Sequence, residues 1–366
     1  MADLRLERVS KRFGNALAVN DLTLDIADGE LLVLVGPSGC GKSTTLRLVA
    51  GLEELSEGAI YIGGRLVNDL PPGERAVALV ASSGALYPHM SVYGNLAFGL
   101  KLRHRPSGEI VERVQRTALT LGLGALLQRK PPQLSGGECQ RVALARAAVR
   151  TPQVVLIDEL PSHLDGPLRV QARTEILGLH QRLQTAVLYV THDQAEALSM
   201  GTRLAVLSDG LLQQVATPAE IYDHPANLFV AGFIGSPAMN VFRAELRTAG
   251  GMLYATTDTF TVMLPGEKRA ALAHYQKRAV ILGVRPEDLY EPATRKEGAD
   301  SSALLPVEVV ERSGGATYAY LLAGHTAVVA RLDARTSATA GRPLEIAIDA
   351  SHVHVFDPDT EQALRA

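Results

Sequence analysis

The apolar run Leu31–Val35 leads directly into Gly36-Pro37-Ser38-Gly39-Cys40-Gly41-Lys42-Ser43-Thr44. No other stretch constrains the chain as much. A buried strand that breaks into a glycine-rich turn and then opens a helix is the arrangement that cradles phosphate. The glycines let backbone N–H groups turn inward toward phosphate oxygens. The helix that follows adds roughly half a positive charge at its N-terminus. Lys42 brings a full positive charge to the β- and γ-phosphates, and Ser43 offers a hydroxyl to Mg²⁺. A purely structural turn needs neither the lysine nor the hydroxyl at this spacing.

A second apolar run at 154–157 ends in Asp158-Glu159. Two carboxylates at a strand end beside a phosphate loop fit a metal-site acid and a general base. Asp158 holds the ion through water, and Glu159 orients and activates the attacking water. Between these pieces lies Leu134-Ser135-Gly136-Gly137-Glu138, ahead of a helix over about 138–150. Taken alone it is a flexible turn. At a helix N-terminus, its hydroxyl and N–H groups make an anion site.

The chain has 366 residues, which argues for two domains. Residues 1–235 read as an α/β unit. Non-alternating apolar runs at 31–35, 154–157, 186–190 and 204–207 predict strands buried on both faces of a sheet. Helical patterns fall at 42–50, 168–183 and 193–200. A helical subdomain over about 84–150 interrupts them, and alternation over 3–26 predicts antiparallel strands. After Gly235-Ser236-Pro237 the apolar runs shorten. Residues 236–366 read as a small all-β domain with strands at 307–310, 318–322, 327–332 and 344–348. The net charge of −3 gives no electrostatic case for nucleic acid. The C-terminal part also has no row of basic and aromatic residues for strand binding. Two cysteines make neither a disulfide framework nor a zinc site, so a reducing compartment is expected. No signal peptide is evident, and no apolar stretch is long enough to cross a bilayer.

Phosphate loop, Ser-Gly-Gly turn and Asp-Glu strand, in that order, resemble the ATP-binding subunits of ABC transporters. The resemblance implies an ATPase that works as a head-to-tail homodimer, with ATP and Mg²⁺ between the signature of one copy (Ser135, Gly136, Gly137, Glu138) and the phosphate loop of the other. It implies a D-loop at Ser162-His163-Leu164-Asp165, a switch histidine at His192 and an adenine-stacking aromatic at Phe13. In such a dimer Cys40 and Cys139 would lie on facing surfaces of opposite subunits; the leading reading is two inert, unrelated small residues, and a close approach of the two is the alternative. Five further segments resemble the maltose and glycerol-3-phosphate importer branch: 85–90, 225–229, 235–240, 282–287 and 352–357. In that branch the C-terminal domain is OB-like (TOBE-type), with dimerising and regulatory roles. Expected partners are two integral-membrane permease subunits and, indirectly, an extracytoplasmic solute-binding protein. The expected place is the cytoplasmic face of the inner membrane, as a peripheral subunit.

The sequence departs from that pattern at several points. Ser82 stands where the family has a metal-contacting Gln, so a contact from Ser82 to Mg²⁺ would run through a water. Leu160-Pro161 reverses the usual order, His163 replaces the usual D-loop Asn or Ala, and Glu138-Cys139 replaces residues usually drawn from Gln and Arg. The alternative reading is therefore a degenerate nucleotide-binding regulator with low turnover.

Overall fold

The computed structural model describes residues 4–81, 86–160, 166–272, 275, 279–292 and 301–364. Two compact units divide between Pro218 and Ala219. This lies earlier than the composition change at Gly235, because Ala231 packs with Met239 and Phe356 of the second unit.

The first unit opens with an antiparallel pair, β1 (Leu4–Phe13) and β2 (Ala16–Ile26). β3 (Leu31–Val35) leads through the glycine-rich turn into α1 (Lys42–Ala50). β4 (Glu57–Ile62), β5 (Arg65–Leu66) and β6 (Val77–Val80) follow. Then come α2 (Val92–Leu102), α3 (Ser107–Thr120) and α4 (Gly136–Ala148). The unit continues with β7 (Val154–Asp158), α5 (Gly166–Leu183), β8 (Ala186–Thr191) and α6 (Gln194–Met200), and ends with β9 (Arg203–Ser208) and β10 (Leu211–Ala216).

Two sheets result. The first runs β2-β1-β4-β5; the second runs β10-β9-β3-β8-β7-β6. In the second, β3, β6, β7, β8 and β9 are parallel, and only the edge strand β10 is antiparallel. β3 and β8 are buried at every position, as expected of strands covered on both faces. In α3, Ile110, Val114 and Ala118 point inward at i, i+4 spacing. Arg113–Glu109 and Arg116–Glu112 ion pairs line its outer side. The loop ahead of α2 is braced by fully buried Asn95, whose amide accepts from Tyr87 N–H at 2.7 Å and donates to the Tyr87, Met90 and Ser91 carbonyls.

The second unit begins around α7 (Pro218–Asp223) and α8 (Leu228–Phe233). Its strands are β11 (Asn240–Ala249), β12 (Met252–Thr256), β13 (Thr261–Leu264), β14 (Ala279–Val284), β15 (Leu289–Tyr290), β16 (Ser302–Arg312), β17 (Ala316–Ala323), β18 (Thr326–Asp333), β19 (Pro343–Ile348) and β20 (His354–Phe356), with α9 (Gly266–Leu272) between β13 and β14. They form two five-stranded sheets, β13-β12-β11-β14-β20 and β15-β19-β16-β17-β18, over one shared core. This is the OB-like β domain. Asn240 ties the sheets together: its amide donates to the Val284 and Val329 carbonyls, and its Oδ1 accepts from Val329 N–H at 2.8 Å. Among the described residues, no helix is long and apolar enough to cross a membrane.

Candidate active site

Register brings the three key segments to one edge. Val35 at the end of β3 pairs with Thr191 at the end of β8. Asp158 at the end of β7 pairs with Val190. The glycine-rich turn, Asp158-Glu159 and His192 therefore leave adjacent parallel strands side by side at their carboxyl ends. That crevice is where open α/β sheets bind ligands.

The turn is built by close backbone approach. A Cβ at Gly36 would lie 2.2 Å from the Leu207 carbonyl oxygen, and one at Gly41 would lie 2.3 Å from that of Ala18. Gly41, at φ +105°, is the N-cap of α1. The second approach also sets the β1–β2 hairpin against the turn. Phe13, at the end of β1, is half exposed, with Lys11 Nζ 4.8 Å above its ring. Pro37, Ser38 and Gly39 form the exposed rim, Thr44 is partly buried, and Ser43 is exposed. The buried Lys42 ammonium donates to the Gly36 and Pro37 carbonyls at 2.9 and 2.8 Å, and lies 3.8 Å from Cys40 Sγ. It is held inside the turn, where incoming phosphate oxygens would replace those carbonyls.

Ser43 Oγ lies 3.4 Å from Asp158 Oδ1. Burial, and next the neighbouring Glu159 charge, push the Asp158 carboxyl above its usual range. Glu159 N–H donates to the Val190 carbonyl at 3.0 Å, which locks its backbone to β8. Glu159 Oε1 stands 3.2 Å from His192 Nδ1. That contact occupies Nδ1, so Nε2 is the ring nitrogen that remains for a phosphate.

Ser135 is the N-cap of α4 in a reciprocal box. Its Oγ accepts from Glu138 N–H at 3.3 Å, and Glu138 Oε2 accepts from Ser135 N–H at 2.7 Å. Those bonds hold the Glu138 carboxyl below the ordinary range. The Ser135 hydroxyl keeps its own hydrogen for donation. Gly136 and Gly137 form the first helical turn.

Ser82 and the D-loop, including Asp165, lie outside the described residues. Of the two readings of the cysteines, the geometry of Cys40 favours unrelated thiols over a close approach across an interface. Cys40 is 4% exposed, and its sulfur is turned into the core beneath Gly36. Burial pushes its thiol pKa up. It cannot reach across an interface without unfolding the turn.

Sequence reasoning missed the buried group around Tyr189, Thr191 and Glu196. Its only linear signal is Asp193-Gln194-Ala195-Glu196, which reads as a helix start. That pattern does not reveal that Glu196 turns inward.

A family model described as ABC transporter matches residues 19–162, and one described as MalK OB fold domain matches residues 235–289. The chain is 48% identical to the oligosaccharides import ATP-binding protein MsmX of Bacillus subtilis, over 100% of both chains. It is 47% identical to the sn-glycerol-3-phosphate import ATP-binding protein UgpC of Ralstonia nicotianae, again over 100% of both. It is 46% identical to the trehalose/maltose import ATP-binding protein MalK of Thermococcus litoralis, with the same coverage. Among solved structures, a dimeric post-hydrolysis state of the ATP-binding cassette MJ0796 bound to ADP and Pi is 29% identical, with a TM-score of 0.51. The match covers 59% of this chain and 98% of that one.

Proposed function

The chain belongs to the ATP-binding subunits of ABC transporters, and from that premise we propose that it hydrolyses Mg·ATP to drive import of a carbohydrate or sugar phosphate. The observation that carries the reading is the convergence of the glycine-rich turn, Asp158-Glu159 and His192 on adjacent strand ends. Full-length similarity to import ATP-binding proteins for oligosaccharides, sn-glycerol-3-phosphate and trehalose/maltose supports the substrate class. The degenerate alternative finds no support in these relatives.

Lys42, the N-terminus of α1 and the turn's N–H groups bind the β- and γ-phosphates, and Phe13 stacks on the adenine. Ser43 and Asp158 suit Mg²⁺: both are hard oxygen donors, they sit 3.4 Å apart, and a cation there would relieve the strained charge on Asp158. The ion would supply charge neutralisation between the phosphates. Glu159 takes the proton of the attacking water as it orients it in line with the γ-phosphate. His192, tethered through Nδ1 to Glu159, reads the γ-phosphate with Nε2. Ser135 and the N–H groups of Gly136 and Gly137 stabilise the γ-phosphate bound to the opposite copy.

The working unit is a homodimer on two permease subunits at the cytoplasmic face of the membrane, fed by a solute-binding protein outside. The test is uptake in a strain lacking its own sugar-import ATPase but retaining the permeases. Expression of this chain should restore uptake of a maltodextrin or of glycerol 3-phosphate. Robust ATPase activity without restored uptake of any carbohydrate would remove the substrate class.

A further inference from the structure

Glu196 is a carboxylate only 2% exposed, and the hydrolysis chemistry does not use it. Its Oε2 accepts from the Tyr189 hydroxyl at 2.6 Å and from the Thr191 hydroxyl at 2.8 Å. Thr191 Oγ1 in turn accepts from Asp193 N–H at 3.0 Å, and Asp193 Oδ1 accepts from Glu196 N–H at 3.0 Å. These bonds pin the residue before His192 and the residue after it, and leave the imidazole itself to its contact with Glu159. From the other side, Arg169 Nη1 donates to Asp193 Oδ2 at 3.3 Å, and Arg169 Nε lies 3.9 Å from Glu196 Oε1. Arg169 is in the first turn of α5.

Helix capping does not explain the arrangement. Asp193 already caps α6 with its own side chain. A glutamate at the third helical position ordinarily reaches back to the N-cap N–H at the surface. Here it turns inward to two side-chain hydroxyls instead. Burying an ionised carboxylate is unfavourable unless its lone pairs are met, and an apolar residue would fill the space at less cost. What the carboxylate adds is orientation: one oxygen with two donors and a Thr hydroxyl that both donates and accepts allow a single arrangement.

We propose that Glu196 is a positioning residue for His192, holding the backbone on both sides of it rigid and, through Arg169, tying it to the start of α5. The inference rests on the reading of His192 as the γ-phosphate switch. The 3.2 Å contact between His192 and Glu159 would be lost with a backbone drift of about 1 Å, so the network's effect falls on turnover, not on nucleotide binding.

The experiment is a double-mutant cycle on the full chain. Glu196→Gln and Tyr189→Phe are each made alone and together with His192→Ala. Melting temperature, affinity for a fluorescent ATP analogue, and single-turnover phosphate release are measured for all. Glu196→Gln should lower turnover about tenfold while nucleotide affinity stays within about twofold, and should cause no further loss when His192 is already Ala. Tyr189→Phe should show the same pattern with a smaller loss, and it carries the test alone if Glu196→Gln does not fold. Unchanged turnover, an equal fractional loss in the His192→Ala background, or a parallel loss of nucleotide affinity would each overturn the proposal. A fully active His192→Ala would sink the switch reading itself. An inactive His192→Ala beside a fully active Glu196→Gln would sink only the positioning role.

Discussion

Asp158 and Glu159 are sequence neighbours with opposite surroundings. Asp158 points toward Ser43, with burial and the adjacent charge raising its pKa, whereas Glu159 reaches His192. The base role assigned to Glu159 predicts that Glu159→Gln keeps ATP binding and loses turnover by ~10²–10⁴-fold. The same variant should elute as a dimer with Mg·ATP if, as proposed, the closed pair opens only after hydrolysis. Phosphate release and gel filtration check both; a fully active variant removes Glu159 from the role. In the second unit, burial raises Asp288 to about 6 even though His352 lies 3.4 Å from it. Its folded pKa stands above its unfolded value near 3.9, so the folded state holds the proton longer. Stability from this group is therefore greatest below about pH 4 and falls as pH rises to about 6. Asp288→Asn should stabilise the chain at pH 7 by on the order of 1–3 kcal/mol, with the gain vanishing toward pH 4. Thermal melts of both proteins across that range measure it, and a gain independent of pH would contradict the assignment.

Among the elements, the turn between β3 and α1 leaves little room for change. Gly41 combines a left-handed φ of +105° with an approach to the Ala18 carbonyl that leaves no room for a side chain. Gly41→Ala should abolish nucleotide binding, since the turn and the β1–β2 hairpin must separate to admit the methyl. Equilibrium binding of the ATP analogue reads this, and retained affinity would show that the hairpin yields. In the second unit Asn240 clamps two sheets through three bonds, one of them to a main-chain N–H. A side chain of such short reach works only because β11 and β18 come close at that point. The strand β11 itself is legible as alternation, with Phe242, Ala244 and Leu246 buried between exposed Arg243, Glu245 and Arg247. A search for continuous apolar runs passes over it.

At the scale of the whole molecule, the paired subunit would use α4 of one copy against the glycine-rich turn of the other. Within one chain, α5 links α4 to the segment that follows His192. Arg169 meets the loop after His192, and farther along Glu175 Oε1 accepts from Arg141 of α4 and from Gln171. Ser82 stands where the family carries a longer amide, and we propose that this shortening loosens coupling to the membrane subunits. Ser82→Gln in the reconstituted importer should raise substrate-stimulated ATP hydrolysis roughly ten- to a hundredfold, as one oriented contact is regained. ATP affinity should change little, since Lys42 and the turn amides remain. Equal stimulated rates for the two forms would mean either that nearby residues compensate for Ser82 or that it does not stand at the metal.

Contiguous chemistry was readable from the sequence alone. The phosphate turn, Asp158-Glu159 and Ser135–Glu138 each sit within a few residues, so spacing and flanking apolar runs identify them. The strands 31–35, 154–157, 186–190 and 204–207 were legible for the same reason, since burial on both faces demands unbroken apolar runs. Tertiary structure decided whatever depends on direction. It turned Cys40 into the core and not toward a partner, grouped 219–235 with the second unit, and folded Glu196 inward onto Tyr189 and Thr191. A residue's type limits the bonds it can make, but the side of the backbone it occupies, and the distant chain waiting there, are set only when the strands pair in register and the helices pack against them.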